Sequence, residues 1–127
     1  MTYIIELLIV GAGGFIGAGL RFSLTKLLSK ISVIIPLGTL MSNIIAGFVI
    51  GLVLGIGENS QNIPEKTKLF LATGLLGGLS TFSAFSIENI ELFYKNKFLE
   101  GFGNIFLNLV LSLLFTYIGI AMSKRYF

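Results

Sequence analysis

The chain has 127 residues, 54% of them hydrophobic and only 12% charged, with a mean hydropathy of +0.93 and a formal net charge of +3. A soluble domain carries about 25% charged residues to face water, so a chain this short and this poor in charge is solvated by lipid. Cys and His are both absent, which excludes thiolate and imidazole catalysis, disulfides and most transition-metal sites.

The first apolar run extends from about residue 3 to 28, interrupted by Glu6 near one end and Arg21 near the other. It is long enough to cross the hydrocarbon core, which needs roughly 20 apolar residues. Its glycine pattern, Gly11-Ala12-Gly13-Gly14-Phe15-Ile16-Gly17, superficially matches a dinucleotide-binding fingerprint. That fold also needs alternating strands and helices and an acidic residue about 20 positions on, where this chain offers only VIIP. The glycines are better read as small residues on a helix contact face. The start, MTYIIE, lacks the positive n-region of a signal peptide.

A short link, LSKISVIIP, leads through Pro36 into a second span at about 37–56. Gly47, Gly51 and Gly55 repeat every four residues along it, a helix contact face. Asn43 lies inside this span; its amide must find hydrogen bonds there, as interhelical glue or as an uncharged donor to an anion. The segment GENSQNIPEKTK is the clearest loop in the chain.

The third span, about 69–94, is unlike the others. Its centre, GLLGGLSTFSAFS, holds three glycines and four Ser/Thr residues, which weaken a helix and predict a break. Phe82 and Phe85 follow on one helix face, interleaved with hydroxyls; a ring's positive edge faces an anion without trapping it. Glu88 and Glu91 come next, beside Lys95 and without a base or metal ligand nearby, so a paired-carboxylate enzyme site is not expected.

The fourth span, about 102–122, carries Asn104, Asn108, Ser112 and Thr116 at intervals of four. That spacing places them on one face and predicts a wetted polar track. With four crossings, Lys66, Lys68, Lys124 and Arg125 share one side, and Lys26, Lys30, Lys95 and Lys97 the other. Four against four gives the positive-inside rule nothing to act on, so insertion both ways up, and an antiparallel homodimer, is expected. The basic residues are scattered rather than clustered, which fits membrane lipids as partners and not nucleic acid.

GGFIGAGLRF at 13–22, GTLMSNIIAGFVIG at 38–51 and above all GLLGGLSTFSAFSIE at 74–88 resemble the CrcB/Fluc family of small fluoride channels, over nearly the whole chain. The resemblance implies an all-α, four-helix subunit in the cell membrane, forming an antiparallel dual-topology homodimer with two pores that let fluoride leave the cytoplasm passively. By the same resemblance, Asn43, Phe82 and Phe85 line the fluoride path. Arg21 and Glu88 stand at its entrance, and main-chain carbonyls of Gly77 and Ser80 hold a structural, untransported sodium ion. Thr81, Ser83 and Ser112 are further neutral donors, and Asn104, Asn108 and Thr116 complete the track, the asparagines replacing a tyrosine and a hydroxyl usual in the family. The competing reading is a small four-helix proton-coupled multidrug antiporter, which needs a carboxylate deep in the first span, where Glu6 is too near the terminus.

Overall fold

The computed structural model describes residues 1–31, 34–59 and 63–127. The predicted link at 28–36 and loop at 57–68 therefore lie partly outside the described residues. Four helical stretches are long and apolar enough to cross a membrane: Thr2–Leu28, Leu37–Glu58, Glu65–Tyr94 and Phe98–Tyr126. The first is α1 (Thr2–Leu28) and the second α2 (Leu37–Asn59). The third is built from α3 (Glu65–Lys68), a π-helix (Leu69–Leu76), α4 (Gly77–Leu79) and α5 (Ser83–Tyr94). The fourth is α6 (Phe98–Tyr126), four residues longer at each end than hydropathy alone indicated.

The third span is interrupted between Leu79 and Ser83, where glycines and hydroxyls are densest. What the pattern did not foretell is the π-helix before it. Wide-turned π segments are rare and concentrate at functional sites.

Two seams hold the helices together. Along α2, Gly47 and Gly51 bring the backbone against α6: a Cβ on Gly47 would lie 2.9 Å from the Ser112 carbonyl oxygen, and one on Gly51 would collide with that of Thr116. Without side chains between them the two backbones gain close van der Waals contact, which is what drives helix association in lipid. The second seam joins α1 to the π-helix, where a Cβ on Gly74 would meet the Val10 carbonyl oxygen at 2.8 Å.

Between α5 and α6 the chain turns sharply. Asn96 takes the left-handed conformation (φ 59°), Lys97 N–H donates to the Leu92 carbonyl (2.8 Å) and Asn96 N–H to that of Phe93 (3.0 Å). This is a Schellman C-cap, with asparagine in the position glycine usually fills. It sets α5 back against α6, with Phe93 packed on Phe98 and Phe102 at centroid distances of 5.9 and 5.2 Å.

Lys124 pairs with Glu58 at 3.6 Å, so the end of α2 and the end of α6 share one side, as four crossings require. The internal core is small: Ala46, Leu76 and Leu79, flanked by Leu24, Val49 and Ile50. Large apolar side chains cover the exterior instead, among them Phe15, Phe22, Phe102, Phe106, Leu113 and Tyr117. Contiguous apolar surface on this scale calls for lipid or a partner.

Candidate ion pathway

The break is held open by side chains from other spans. Ser80 is extended (φ −74°, ψ 155°). In a continuous helix the Thr81 N–H would close on the Gly77 carbonyl and the Ala84 N–H on that of Ser80. Here the Thr81 N–H donates to Asn43 Oδ1 (2.8 Å), and the Ala84 N–H to Thr81 Oγ1 (3.2 Å). Asn43 Nδ2 also donates back to the Thr81 carbonyl at 3.2 Å, so one amide grips both backbone groups of one residue. From α1, Arg21 Nε donates to the Gly78 carbonyl at 3.2 Å. The carbonyls of Gly77 and Ser80 thus lose their helical partners.

Beside the break lies a groove of about 540 Å³, lined by α2, the third span and α6. Of the residues singled out by sequence, Asn43, Gly77, Ser80, Thr81, Phe82, Phe85, Asn108 and Ser112 line it together. Every lining side chain is uncharged. Phe85 is buried and Phe82 is 74% exposed, their ring centroids 5.3 Å apart and their planes tilted by 42°. The Ser112 hydroxyl is buried and has no hydrogen-bond partner among the described residues.

The remaining predicted residues stand elsewhere. Ser83 is exposed next to the break, its hydroxyl 3.4 Å from that of Thr81. Thr116 donates to the Ser112 carbonyl at 2.8 Å, the back-bond common for hydroxyls in apolar helices. Glu88 accepts from Thr39 Oγ1 at 2.5 Å in a separate cavity of about 320 Å³ that also involves Thr25, Ser29, Glu91 and Lys95, at the opposite end of the spans from Lys124. Its second carboxylate oxygen is buried without a partner among the described residues.

The polar row on α6 divides in two. Asn104 is fully buried and Asn108 nearly so. Asn43 Nδ2 donates to Asn108 Oδ1 (3.0 Å), Asn108 Nδ2 to Asn104 Oδ1 (2.9 Å) and Asn104 Nδ2 to Asn89 Oδ1 (2.9 Å). Asn89 Nδ2 ends the series on the Phe85 carbonyl at 2.8 Å. The N–H groups of Asn43 and Asn108 are therefore engaged within the protein, and either amide would have to exchange a bond to serve an anion.

Asn89 was not among the residues the sequence singled out. Its signal was present: it follows Phe85 by four positions, hence on the same helix face, in a stretch, ENIELFYKNK, that reads as a polar helical tail.

A family model described as "CrcB-like protein, Camphor Resistance (CrcB)" matches residues 8–120. Proteins named "Fluoride-specific ion channel FluC" are similar over nearly the full chain. That of Clostridium novyi (strain NT) is 46% identical, covering 98% of both chains. That of Clostridium perfringens (strain 13 / Type A) is 41% identical over 100% of both, and that of Campylobacter fetus subsp. fetus (strain 82-40) 47% identical over 91% of both. These names point to an ion channel and not to an enzyme. With its four spans, the chain is a multi-pass membrane protein, and it belongs to the CrcB family.

Proposed function

We propose that this protein is a passive, fluoride-selective channel that lets fluoride leave the cytoplasm and so lowers its toxicity. The names of its relatives support the ion. The observation that carries the reading is the groove itself: among the described residues, two phenylalanine rings, a buried hydroxyl without a partner and several amides and hydroxyls converge there without a fixed charge. Fluoride is small and strongly hydrated, so its path must replace water's hydrogen bonds in steps. A lysine or arginine in the narrow part would hold the ion too long, because conduction requires binding weak enough to leave. Phe82 and Phe85 offer positive ring edges, and the Ser112 hydroxyl and its neighbours offer neutral donors.

The groove is open-sided in one subunit, which supports a second copy closing it. Balanced charge at the two ends supports an inverted copy, giving an antiparallel dual-topology homodimer. Carbonyl oxygens suit a hard cation, and the carbonyls of Gly77 and Ser80, released from helical bonding, fit the structural sodium ion that the family resemblance implies. Bound there, the ion would neutralise facing carbonyl dipoles and fix the break. The path itself is formed by the chain's own side chains.

The test is efflux from fluoride-loaded liposomes, read with fluoride and chloride electrodes. Rapid fluoride release with chloride retained is expected, and Phe85→Ile should reduce it. Replacing sodium on both sides by a bulky organic cation should abolish flux. Equal chloride release would overturn the channel assignment; drug-driven proton release in its place would favour the antiporter reading.

A further inference from the structure

Resting on that channel reading, we infer that Asn89 is a positioning residue for the ion path: it closes a ring of four amides, three of them buried, that clamps the Phe82–Phe85 segment at both ends. The segment begins at Thr81, whose backbone N–H and carbonyl are both bound by Asn43. It ends at Phe85, whose carbonyl accepts the Asn89 side chain. Asn108 and Asn104 connect the two ends through α6. Backbone from Thr81 to Phe85 and amides from Asn89 back to Asn43 thus form one closed circuit, drawn from α2, the third span and α6.

Three of these side chains are almost wholly buried: Asn89 at 4% exposure, Asn104 at 0% and Asn108 at 3%. A buried polar network in which every member is satisfied rigidifies what it surrounds, because loosening one link leaves unpaired amides in a low-dielectric interior. Each side chain in the series donates from its amide nitrogen to the next oxygen, and the last donates to backbone. The direction is self-consistent, and Asn89, 4% exposed, is not among the residues that line the groove. Its effect on an ion therefore passes through the Phe85 carbonyl it holds and not through contact.

This assigns Asn104 and Asn108 a clamping role as well. It explains how an amide pair can stand where the family resemblance implies a tyrosine and a hydroxyl along the α6 track. It also separates the two asparagines from Ser112, whose hydroxyl has no partner among the described residues.

The experiment uses the full-length chain in liposomes, with fluoride and chloride electrodes. Asn89→Leu removes both of its bonds and is expected to slow fluoride efflux about tenfold, the rate equivalent of one ordinary buried hydrogen bond. Asn89→Ser keeps a hydroxyl able to bond the Phe85 carbonyl but too short to reach Asn104, and should give a smaller loss of the same kind; it also serves where the leucine variant does not fold. The decisive measurement is each substitution in a Phe85→Ile background. If Asn89 acts by holding Phe85, efflux there should change less than about twofold, since coupled positions are not additive. Equal proportional losses in both backgrounds would show a merely structural residue and overturn the clamp, as would unchanged efflux in both single variants. If the unmodified protein releases no fluoride at all, the channel reading fails first, and Asn89 is then left with no ion path to position.

Discussion

Glycine is used in two opposite ways in this molecule. In the seam between α2 and α6 it lets two helices touch backbone to backbone while both run unbroken. In the third span, glycine and hydroxyl residues accompany a helix that stops at Leu79 and restarts at Ser83; the released Thr81 and Ala84 N–H groups and the Gly78 carbonyl are taken up by Asn43, Thr81 and Arg21. The difference lies in the neighbours. Gly47 and Gly51 face a partner that needs nothing but proximity, while the Gly77–Ser83 stretch faces amides and a guanidinium able to compete for its backbone. Close packing makes the frame, and side-chain competition makes the site.

That contrast is most easily broken at Gly51. A methyl there collides with the Thr116 carbonyl oxygen, and backbone on both sides leaves nothing to swing away. Gly51→Ala is therefore expected to do more damage than the two substitutions that follow, costing about 3 kcal/mol or more by overpacking. It should be visible as loss of the monodisperse peak in detergent size-exclusion chromatography. A Gly51→Ala protein that elutes and melts like the unmodified chain would mean that α2 and α6 are not in backbone contact.

Next in size is Asn43→Leu. The leucine fills a similar volume but strands the Asn108 oxygen, which is buried and costs about 1–3 kcal/mol when unsatisfied, and frees the Thr81 N–H and carbonyl, which line the open groove. Fluoride efflux should fall by about two orders of magnitude, at roughly 1.4 kcal/mol per factor of ten, with assembly weakened less than in Gly51→Ala. Efflux retained in Asn43→Leu would show that the break keeps its shape without that grip.

Much of this was legible in the chain of letters. Hydropathy marks all four spans, and the run GLLGGLSTFSAFS marks the break, since both signals are local and additive along the sequence. Only the third-span part of the groove lining lies in that motif. The amide ring was not legible, for a physical reason. Asn89 and Asn104 are 15 residues apart, and they meet only because Asn96 adopts a left-handed turn that folds α5 back onto α6. Read along α6 alone, Asn104, Asn108, Ser112 and Thr116 form one even row. Depth within the bundle then separates them into a buried, hydrogen-bonded pair, a hydroxyl without a partner among the described residues and a back-bonded threonine. The π-helix was also missed, since nothing in LFLATGLL distinguishes five-residue from four-residue bonding before Gly74 meets Val10.

The smallest expected effect sharpens the comparison most, because it places a methyl on a glycine that neither seam requires. Gly77 has ordinary helical angles (φ −62°, ψ −37°), and a Cβ there meets only the Ala72 carbonyl oxygen, at 3.7 Å. Within one subunit Gly77→Ala should be neutral or slightly stabilising, by up to about 1 kcal/mol, because alanine is the better helix former. Gly77 lines the groove, so any loss should appear in fluoride efflux or in pairing of copies and not in folding. Measured side by side with Gly51→Ala, a normal melting curve with reduced efflux places Gly77 on the functional face. A melting loss as large as that of Gly51→Ala would mean that this glycine, too, is a packing residue, and the distinction between frame and site would have to be redrawn.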